Sequence, residues 1–432
     1  MFQMNTKVLA ATVGCALGIG LHAEMPVIPQ ESVVFNQNSH SRLVTISYEL
    51  QEAPAIVTVD ILTNGVSIGE ENFTTIYGDV NKLVQPGENK LIFWQADKEW
   101  PDYRFRNGEV SVVVKGWGKG RPPDYMVVDL TETNAVKRFY VSEKALPDGG
   151  LANRDVYLKS KLVMRRIPAA GVTWKMGSPA TEGGRTADGR EDQRDITFTN
   201  DYYMAIYTVS QGQQMTGIGK NTAYPTHRTN DFMVVNNTNY EQLRGFVSNG
   251  INWPTSGHAV EPSSQIALWR AKTGIDFDLP TSAQWEYACR AGSGTAFCCG
   301  VDIPSGGATL LSSLNAYAWF GGANGNAKGN IQLIGLRQPN DWGLYDMHGN
   351  MWEACLDWFS TSYDNADRIE PNGAVTNADG YRVYRGGACG SAANACRSAC
   401  VNNYKANSNV VTGQAASWYI TYRLCCPVQL VW

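Results

Sequence analysis

Apolar and polar residues alternate with a period of two in the first third of the chain. The apolar positions of the two clearest runs are Val44, Ile46, Tyr48, Leu50, Val57, Val59 and Ile61. Thr58 and Asp60 are the polar positions of the second run, and Asn64-Gly65, Pro86-Gly87 and Asn107-Gly108 are turn signals between runs. Several short alternating strands predict an all-β sandwich of immunoglobulin or fibronectin type over residues 31–117, serving as a spacer or docking module.

The segment 118–124 is predicted to be a linker, because it contains Gly118, Gly120 and the adjacent Pro122 and Pro123. The second domain is then assigned to residues 125–432. Its hydrophobic pattern predicts only a few short helices among irregular chain rich in Gly, Asn and Trp. This composition favours an α+β fold whose backbone groups are satisfied by turns and side chains.

Three helices of the second domain have recognisable termini. One begins near Ser263, can bury Ile266, Trp269 and Thr273, and stops at Gly274. Another opens at Thr281, where Gln284 completes a capping box and Trp285, Ala288 and Cys289 share an apolar face. A third follows Asn239 and has Leu243, Phe246 and Val247 at helical spacing.

The amino terminus has the pattern of an export signal. Lys7 precedes an apolar run from Val8 to Leu21, and a small-residue cleavage site follows at Leu21-His22-Ala23. The run is shorter than the roughly 20 residues that a spanning helix needs. We therefore expect residues 1–23 to be a signal peptide, no transmembrane segment, and a periplasmic, extracellular or cell-surface protein.

Charge and cysteine content restrict the function further. The net charge of −4 and the lack of a Lys/Arg stripe argue against nucleic acid as a partner. The chain has ten cysteines, and all except Cys15 lie in its final third. In an exported protein this predicts two disulfides among Cys289, Cys355, Cys396 and one of Cys425 or Cys426, with the pairing left open.

Five ordered sequence blocks of the second domain carry a family resemblance. They are Met176-Gly-Ser178, Tyr202–Val209, Leu279-Pro-Thr-Ser-Ala-Gln-Trp-Glu-Tyr-Ala-Cys-Arg-Ala-Gly292, Trp342-Gly-Leu-Tyr-Asp-Met-His-Gly-Asn-Met-Trp-Glu353 and Arg385-Gly-Gly387 with Cys396-Arg-Ser-Ala399. Together they resemble the formylglycine-generating enzymes, or sulfatase-modifying factors. The resemblance implies a variant of the C-type-lectin fold and, for active members, copper-dependent oxidation of a sulfatase cysteine to formylglycine.

The cysteine pair of active members is not reproduced. The resemblance implies two cysteines five residues apart that bind copper, and soft thiolates suit Cu(I). Here Cys389 and Cys396 are seven apart, and Cys396 and Cys400 are four apart. Cys389 and Cys396 are therefore the candidate catalytic residues. The alternative for Cys396 is that it forms a disulfide.

Further positions depart from the family pattern. They are Asp278, Ser282, Gln284, Ala354 and Thr421-Tyr422-Arg423.

His348 is predicted to be a hydrogen-bonded turn residue rather than a metal ligand. The acidic loop containing Glu182, Asp188, Glu191, Asp192 and Asp195 is predicted to be a solvated surface, with calcium binding as an alternative.

The resemblance also implies a structural calcium ion at the Gly-Asn-x-Trp-Glu turn, where Asn350 and Glu353 occupy the ligand positions. The alternative is that Glu353 accepts backbone hydrogen bonds with no metal. Copper is expected only if the protein is catalytically active.

Three hypotheses about function follow. The first is a non-catalytic binding or accessory protein whose partner is a peptide, protein or glycan. The second is an active formylglycine-generating oxidase with a rearranged cysteine pair, and the third is an envelope structural protein. The sequence leaves enzymatic activity open and favours the first.

Overall fold

The computed structural model describes residues 25–106, 109–228, 230–245, 259–303, 312–322, 325–362, 369, 379–405 and 419–431. The predicted signal peptide, the turn Asn107-Gly108, Phe246 and Val247 lie outside these residues. Within them, no helix is long and apolar enough to cross a membrane.

Two antiparallel sheets form the amino-terminal part. Their strands are β1 (Val34–Gln37), β2 (Val44–Leu50), β3 (Ala55–Thr63), β4 (Val66–Ser67), β5 (Ile76–Gly78), β6 (Leu83–Val84), β7 (Gly87–Trp94) and β8 (Val110–Trp117), with the short helix α1 (Ala96–Glu99) after β7. One sheet has the order β1-β2-β7-β5. In the other, β3 pairs with β4, β6 and β8. This is the predicted sandwich.

The period-two pattern is confirmed on β2, whose alternate residues Val44 to Leu50 are at most 2% exposed. The Asn64-Gly65 turn joins β3 to β4 with φ angles of 51° and 79°, a conformation that Asn and Gly tolerate. The outward assignment of Thr58 was wrong, since it is only 5% exposed and its hydroxyl accepts a hydrogen bond from Trp117 Nε1 at 2.7 Å.

The two parts of the chain contact each other directly. Segment 118–124 has no helix or strand, yet Pro122 and Pro123 are buried. Ile56 of β3 belongs to the core of the second part, and Phe139 N–H donates to Asn81 O at 2.8 Å. The inner half of β3 is therefore covered on both faces.

The second part is built from short strands. They are β9 (Tyr125–Asp129), β10 (Val136–Tyr140), β11 (Lys161–Ile167), β12 (Thr173–Met176), β13 (Arg194–Thr197), β14 (Tyr202–Ala205), β15 (Ala318–Trp319), β16 (His348–Gly349), β17 (Trp352–Trp358), β18 (Tyr381–Arg385), β19 (Asn402–Lys405), β20 (Ile420–Thr421) and β21 (Cys425–Pro427). The larger sheets have the orders β10-β9-β11-β14-β21 and β19-β18-β17-β20.

The described residues of this part also form five α-helices: α2 (Arg154–Tyr157), α3 (Gln211–Ile218), α4 (Tyr240–Arg244), α5 (Gln265–Thr273) and α6 (Ser282–Arg290). The predicted termini are confirmed where the structure describes them. The Thr281 hydroxyl accepts from Gln284 N at 3.1 Å, Gln284 Oε1 accepts from Thr281 N at 2.9 Å, and α5 ends at Gly274 with φ 63°. Trp285 and Cys289 of α6 are fully buried, as their spacing predicts.

Candidate functional site

The two candidate catalytic cysteines lie in the turn after β18, and neither sulfur reaches the surface. Cys389 and Cys396 are both 0% exposed. Asn350 O accepts from Cys389 N at 2.8 Å, Cys389 O accepts from Gly329 N at 3.1 Å, and Cys396 O lies 2.8 Å from His348 Nδ1. The backbone of this turn is thus fixed against the Gly-Asn turn after β16.

The surroundings of both thiols disfavour the thiolate form. Burial raises the pKa of Cys389 to about 12. Burial also raises the pKa of Cys396 far above its usual range, and Cys400 and Cys389 act in the same direction. Because a thiolate is both the nucleophile and the copper ligand, these two side chains do not fit a substrate-accessible copper centre.

All nine described cysteines are free thiols, so the structure contains neither of the two predicted disulfides. Cys289, Cys355 and Cys425 belong to one hydrophobic core, Cys426 belongs to a second and Cys396 to a third, smaller one. Their side chains fill apolar space as small hydrophobic groups. Clustering in sequence predicted bridges here, whereas the fold distributes the sulfurs over separate cores.

His348 is hydrogen bonded, as the sequence predicts, but it lies in the short strand β16 and not in a turn. Its Nε2 accepts from Cys298 N at 3.1 Å, which makes Nδ1 the protonated nitrogen that donates to Cys396 O. Burial lowers the pKa of His348 to about 4, so the ring is neutral at ordinary pH.

Glu353 of the predicted calcium pair forms an ion pair with Arg423. Arg423 donates from Nη2 to Glu353 Oε1 at 2.7 Å and from Nε to Oε2 at 3.0 Å. Trp285 Nε1 also donates to Oε2, at 2.8 Å. The other Arg423 donors reach the carbonyl oxygens of Ala205, Ile206 and Tyr345 at 2.8–2.9 Å. Sequence reasoning missed this junction, although its arginine stands in the closing motif.

The Asn350 side chain does not fit the predicted calcium role. Its Oδ1 accepts from Gln332 N at 3.0 Å and its Nδ2 donates to Gln332 O at 3.2 Å. Asp346, four residues earlier, accepts from Gly335 N through Oδ2 but has a buried Oδ1 without a partner. Burial raises the pKa of Asp346 to about 6, and the charge of Glu353 acts in the same direction. The buried hard oxygen without a partner in this segment is therefore Oδ1 of Asp346.

Positions that depart from the family pattern have structural roles. Asp278 accepts from Arg244 Nε at 2.8 Å and lies 3.2 Å from Arg270 Nη2. The Ser282 hydroxyl accepts from Arg385 Nη2 at 2.7 Å. Gln284 completes the capping box of α6. These departures stabilise the scaffold and add no reactive group.

The acidic loop after β12 is held by ion pairs. Arg397 lies 2.6 Å from Glu182 and 2.9 Å from Glu191, both of which are nearly inaccessible. The remaining pairs are Arg190 with Asp188, Arg185 with Asp192, and Lys175 with Asp195. The solvated-surface prediction was therefore wrong for Glu191, which is 1% exposed. In the described parts of the chain, no three His, Cys, Asp or Glu residues are grouped to hold a metal.

The second part of the chain therefore combines short strands and short helices around a buried Trp285-Glu353-Arg423 junction. The sequence profile of the sulfatase-modifying factor enzyme 1-like domain matches residues 166–412. This is more than half of the chain, and the protein belongs to that family. The α+β fold class predicted from the sequence is confirmed.

The relatives that this chain resembles are named as different kinds of protein. The formylglycine-generating enzyme of Streptomyces coelicolor is 32% identical over 151 residues, which are 34% of this chain and 45% of that protein. The serine/threonine-protein kinase pkn1 of Chlamydia caviae is 26% identical over 241 residues, 53% of this chain and 35% of that protein. Each match spans less than half of the relative's length. The solved structure of PvdO from Pseudomonas aeruginosa matches 61% of this chain and 93% of its own, with TM-score 0.47 and 22% identity.

Proposed function

We propose that this chain is an exported binding or accessory protein that keeps the sulfatase-modifying-factor scaffold without its oxidase chemistry. The observation that carries the proposal is the complete burial of Cys389 and Cys396. A substrate cysteine must reach the reactive sulfur, and a thiol whose pKa is raised by burial is a weak nucleophile and a weak metal ligand. The partner would be a peptide, protein or glycan.

The decisive experiment is a combined copper and oxidation assay on the purified full chain. We expect no aldehyde product by mass spectrometry when a cysteine-containing sulfatase peptide is incubated with the protein, Cu(I) and oxygen. We also expect that Cys389→Ser and Cys396→Ser leave Cu(I) titration unchanged relative to the matched variant Cys426→Ser, which removes a buried thiol in a different hydrophobic core. Stoichiometric copper and aldehyde formation that are both lost in Cys389→Ser would establish the oxidase instead.

A structural calcium ion is the second part of the proposal. The ion would be held at Asp346, whose buried Oδ1 has no partner, because both oxygens of Glu353 already accept from Arg423 and Trp285. The Asn350 side chain would remain hydrogen bonded to Gln332. Carboxylate oxygens at a tight turn are the donors that calcium prefers.

Calcium should therefore stabilise the wild-type protein. At a concentration of about 100 times the dissociation constant, binding to the folded state contributes about 2.7 kcal/mol. Thermal unfolding in calcium against chelator should show this increase, and Asp346→Asn should abolish it. The control is Asp195→Asn, which removes a carboxylate that is 51% exposed and paired with Lys175. Equal unfolding temperatures of the wild type with and without calcium would refute the site.

A further inference from the structure

The sandwich leaves two strand edges unpaired on one side. Among the described strands, β1 pairs only with β2 and β8 pairs only with β3, so each is the last strand of its sheet. Val34 on β1 is 56% exposed and Val113 on β8 is 46% exposed. An unpaired edge offers backbone N–H and C=O groups to an added strand.

A cleft of about 660 Å³ lies between these edges. Its lining combines residues of β1 and β8 with the turn that contains Arg42 and the loop that contains Arg104 and Arg106. The Gln37 side chain fixes that loop, because its Oε1 accepts from Phe105 N at 3.0 Å and its Nε2 donates to Tyr103 O at 3.0 Å. The cleft is therefore bounded by ordered backbone.

Three guanidinium groups give the cleft a positive charge. Among the described residues, Arg42, Arg104 and Arg106 form no ion pair with a carboxylate, and the buried Nε of Arg42 has no hydrogen-bond partner. Glu109 is the nearby acid, and its carboxylate accepts from Arg106 N at 2.9 Å and from the Tyr103 hydroxyl at 2.7 Å. The backbone N–H of Arg106 and the Tyr103 hydroxyl lower the pKa of Glu109, and the Arg106 charge acts in the same direction, so Glu109 partly offsets Arg106. The charge is notable in a chain whose net charge is −4.

We propose that this cleft binds an extended acidic peptide, which adds as a strand to the β1 edge and places its carboxylates against the three arginines. The β1 edge is the more open one, because Val114 O of β8 already accepts from Gln30 Nε2 at 3.0 Å. Guanidinium groups pair with carboxylates in a forked geometry, which supplies both affinity and register. The exposed Val34, which lines the cleft, suits an apolar side chain of the added strand. A saccharide would satisfy the charges and leave the strand edges unused. The inference concerns the sandwich and does not depend on the cysteine chemistry.

The test measures by calorimetry the binding of an acetylated, amidated hexapeptide of alternating valine and glutamate to the full chain. We expect binding that weakens as salt rises and is absent for the matching valine–lysine peptide. The double variant Arg104→Ala/Arg106→Ala should bind the acidic peptide at least roughly tenfold more weakly. Lys119→Ala/Lys220→Ala is the matched control, because it removes the same charge outside the cleft and should bind like the wild type.

Two further probes distinguish strand addition from simple charge attraction. The same acidic peptide with alternate backbone nitrogens methylated should lose binding, because it cannot donate to a strand edge. A sulfated or uronic-acid tetrasaccharide should bind more weakly than the acidic peptide, because it can pair with the arginines but cannot add to a strand edge. The proposal would be overturned if the methylated peptide bound as tightly as the unmethylated one, or if the arginine double variant bound the acidic peptide as tightly as the wild type. Arginine-dependent binding of the saccharide together with no binding of the acidic peptide would also overturn it.

Discussion

Arg423→Met should lower the free energy of unfolding by about 3–5 kcal/mol, because removing one partner of a buried ion pair leaves the other charge uncompensated. Arg423 is 0% exposed, and its donors are used by Glu353 and by the carbonyl oxygens of Ala205, Ile206 and Tyr345. Methionine fills similar space and supplies no donor. Urea unfolding followed by circular dichroism measures the change.

Two companion variants separate charge from packing. Glu353→Gln combined with Arg423→Met removes the orphaned charge and should recover part of the loss. Lys175→Ala breaks the exposed ion pair with Asp195, whose side chains are 57% and 51% exposed, and should cost less than about 1 kcal/mol. A loss in Arg423→Met no larger than in Lys175→Ala would show that the junction is not a main support of the fold.

Gly349→Ala should be comparably severe, with a loss above about 4 kcal/mol or failure to fold. Gly349 has φ 94°, and a Cβ at this position would overlap the backbone carbonyl of Trp319. That carbonyl accepts from Asn350 N at 2.8 Å, and Gly349 N donates to Gly386 O at 2.6 Å. The overlap therefore involves backbone that is already fixed on both sides.

Gly329→Ala is the matched control for this position. Gly329 has a similar φ of 80°, and a Cβ there meets nothing within 4 Å. Its substitution should cost only the strain of about 1–3 kcal/mol expected for a left-handed alanine. Thermal unfolding and soluble yield compare the two variants, and similar stabilities would mean that the β15–β16 contact relaxes easily.

Local features of the fold could be predicted from the sequence because they depend on neighbouring residues. The alternation on β2, the Asn64-Gly65 turn and the capping box at Thr281 each arise from interactions over a few positions. Thr58 was misassigned because its burial depends on Trp117, 59 residues away. The sequence pattern of β3 contains no sign of that contact.

The predictions about the candidate site also divide into local features, which the sequence indicated, and long-range contacts, which it did not. The hydrogen bonding of His348 was correctly predicted, although the residue lies in β16 and not in a turn, and the ordered motifs identified the family. The cysteine pairings and the Asn350 ligand assignment depended on distances between segments far apart in sequence. The two predicted disulfides are not in the structure, and the Asn350 amide is bound to Gln332.

By itself the sequence determined the family, the order of the β-rich and mixed parts, and the lack of the expected cysteine spacing, because these follow from residue identity and local periodicity. The tertiary structure decided that Cys389 and Cys396 are fully buried, that Arg423 neutralises Glu353, and that three arginines line one cleft of the sandwich. Burial and charge pairing are properties of residues brought together from distant segments, so only the packed chain can specify them.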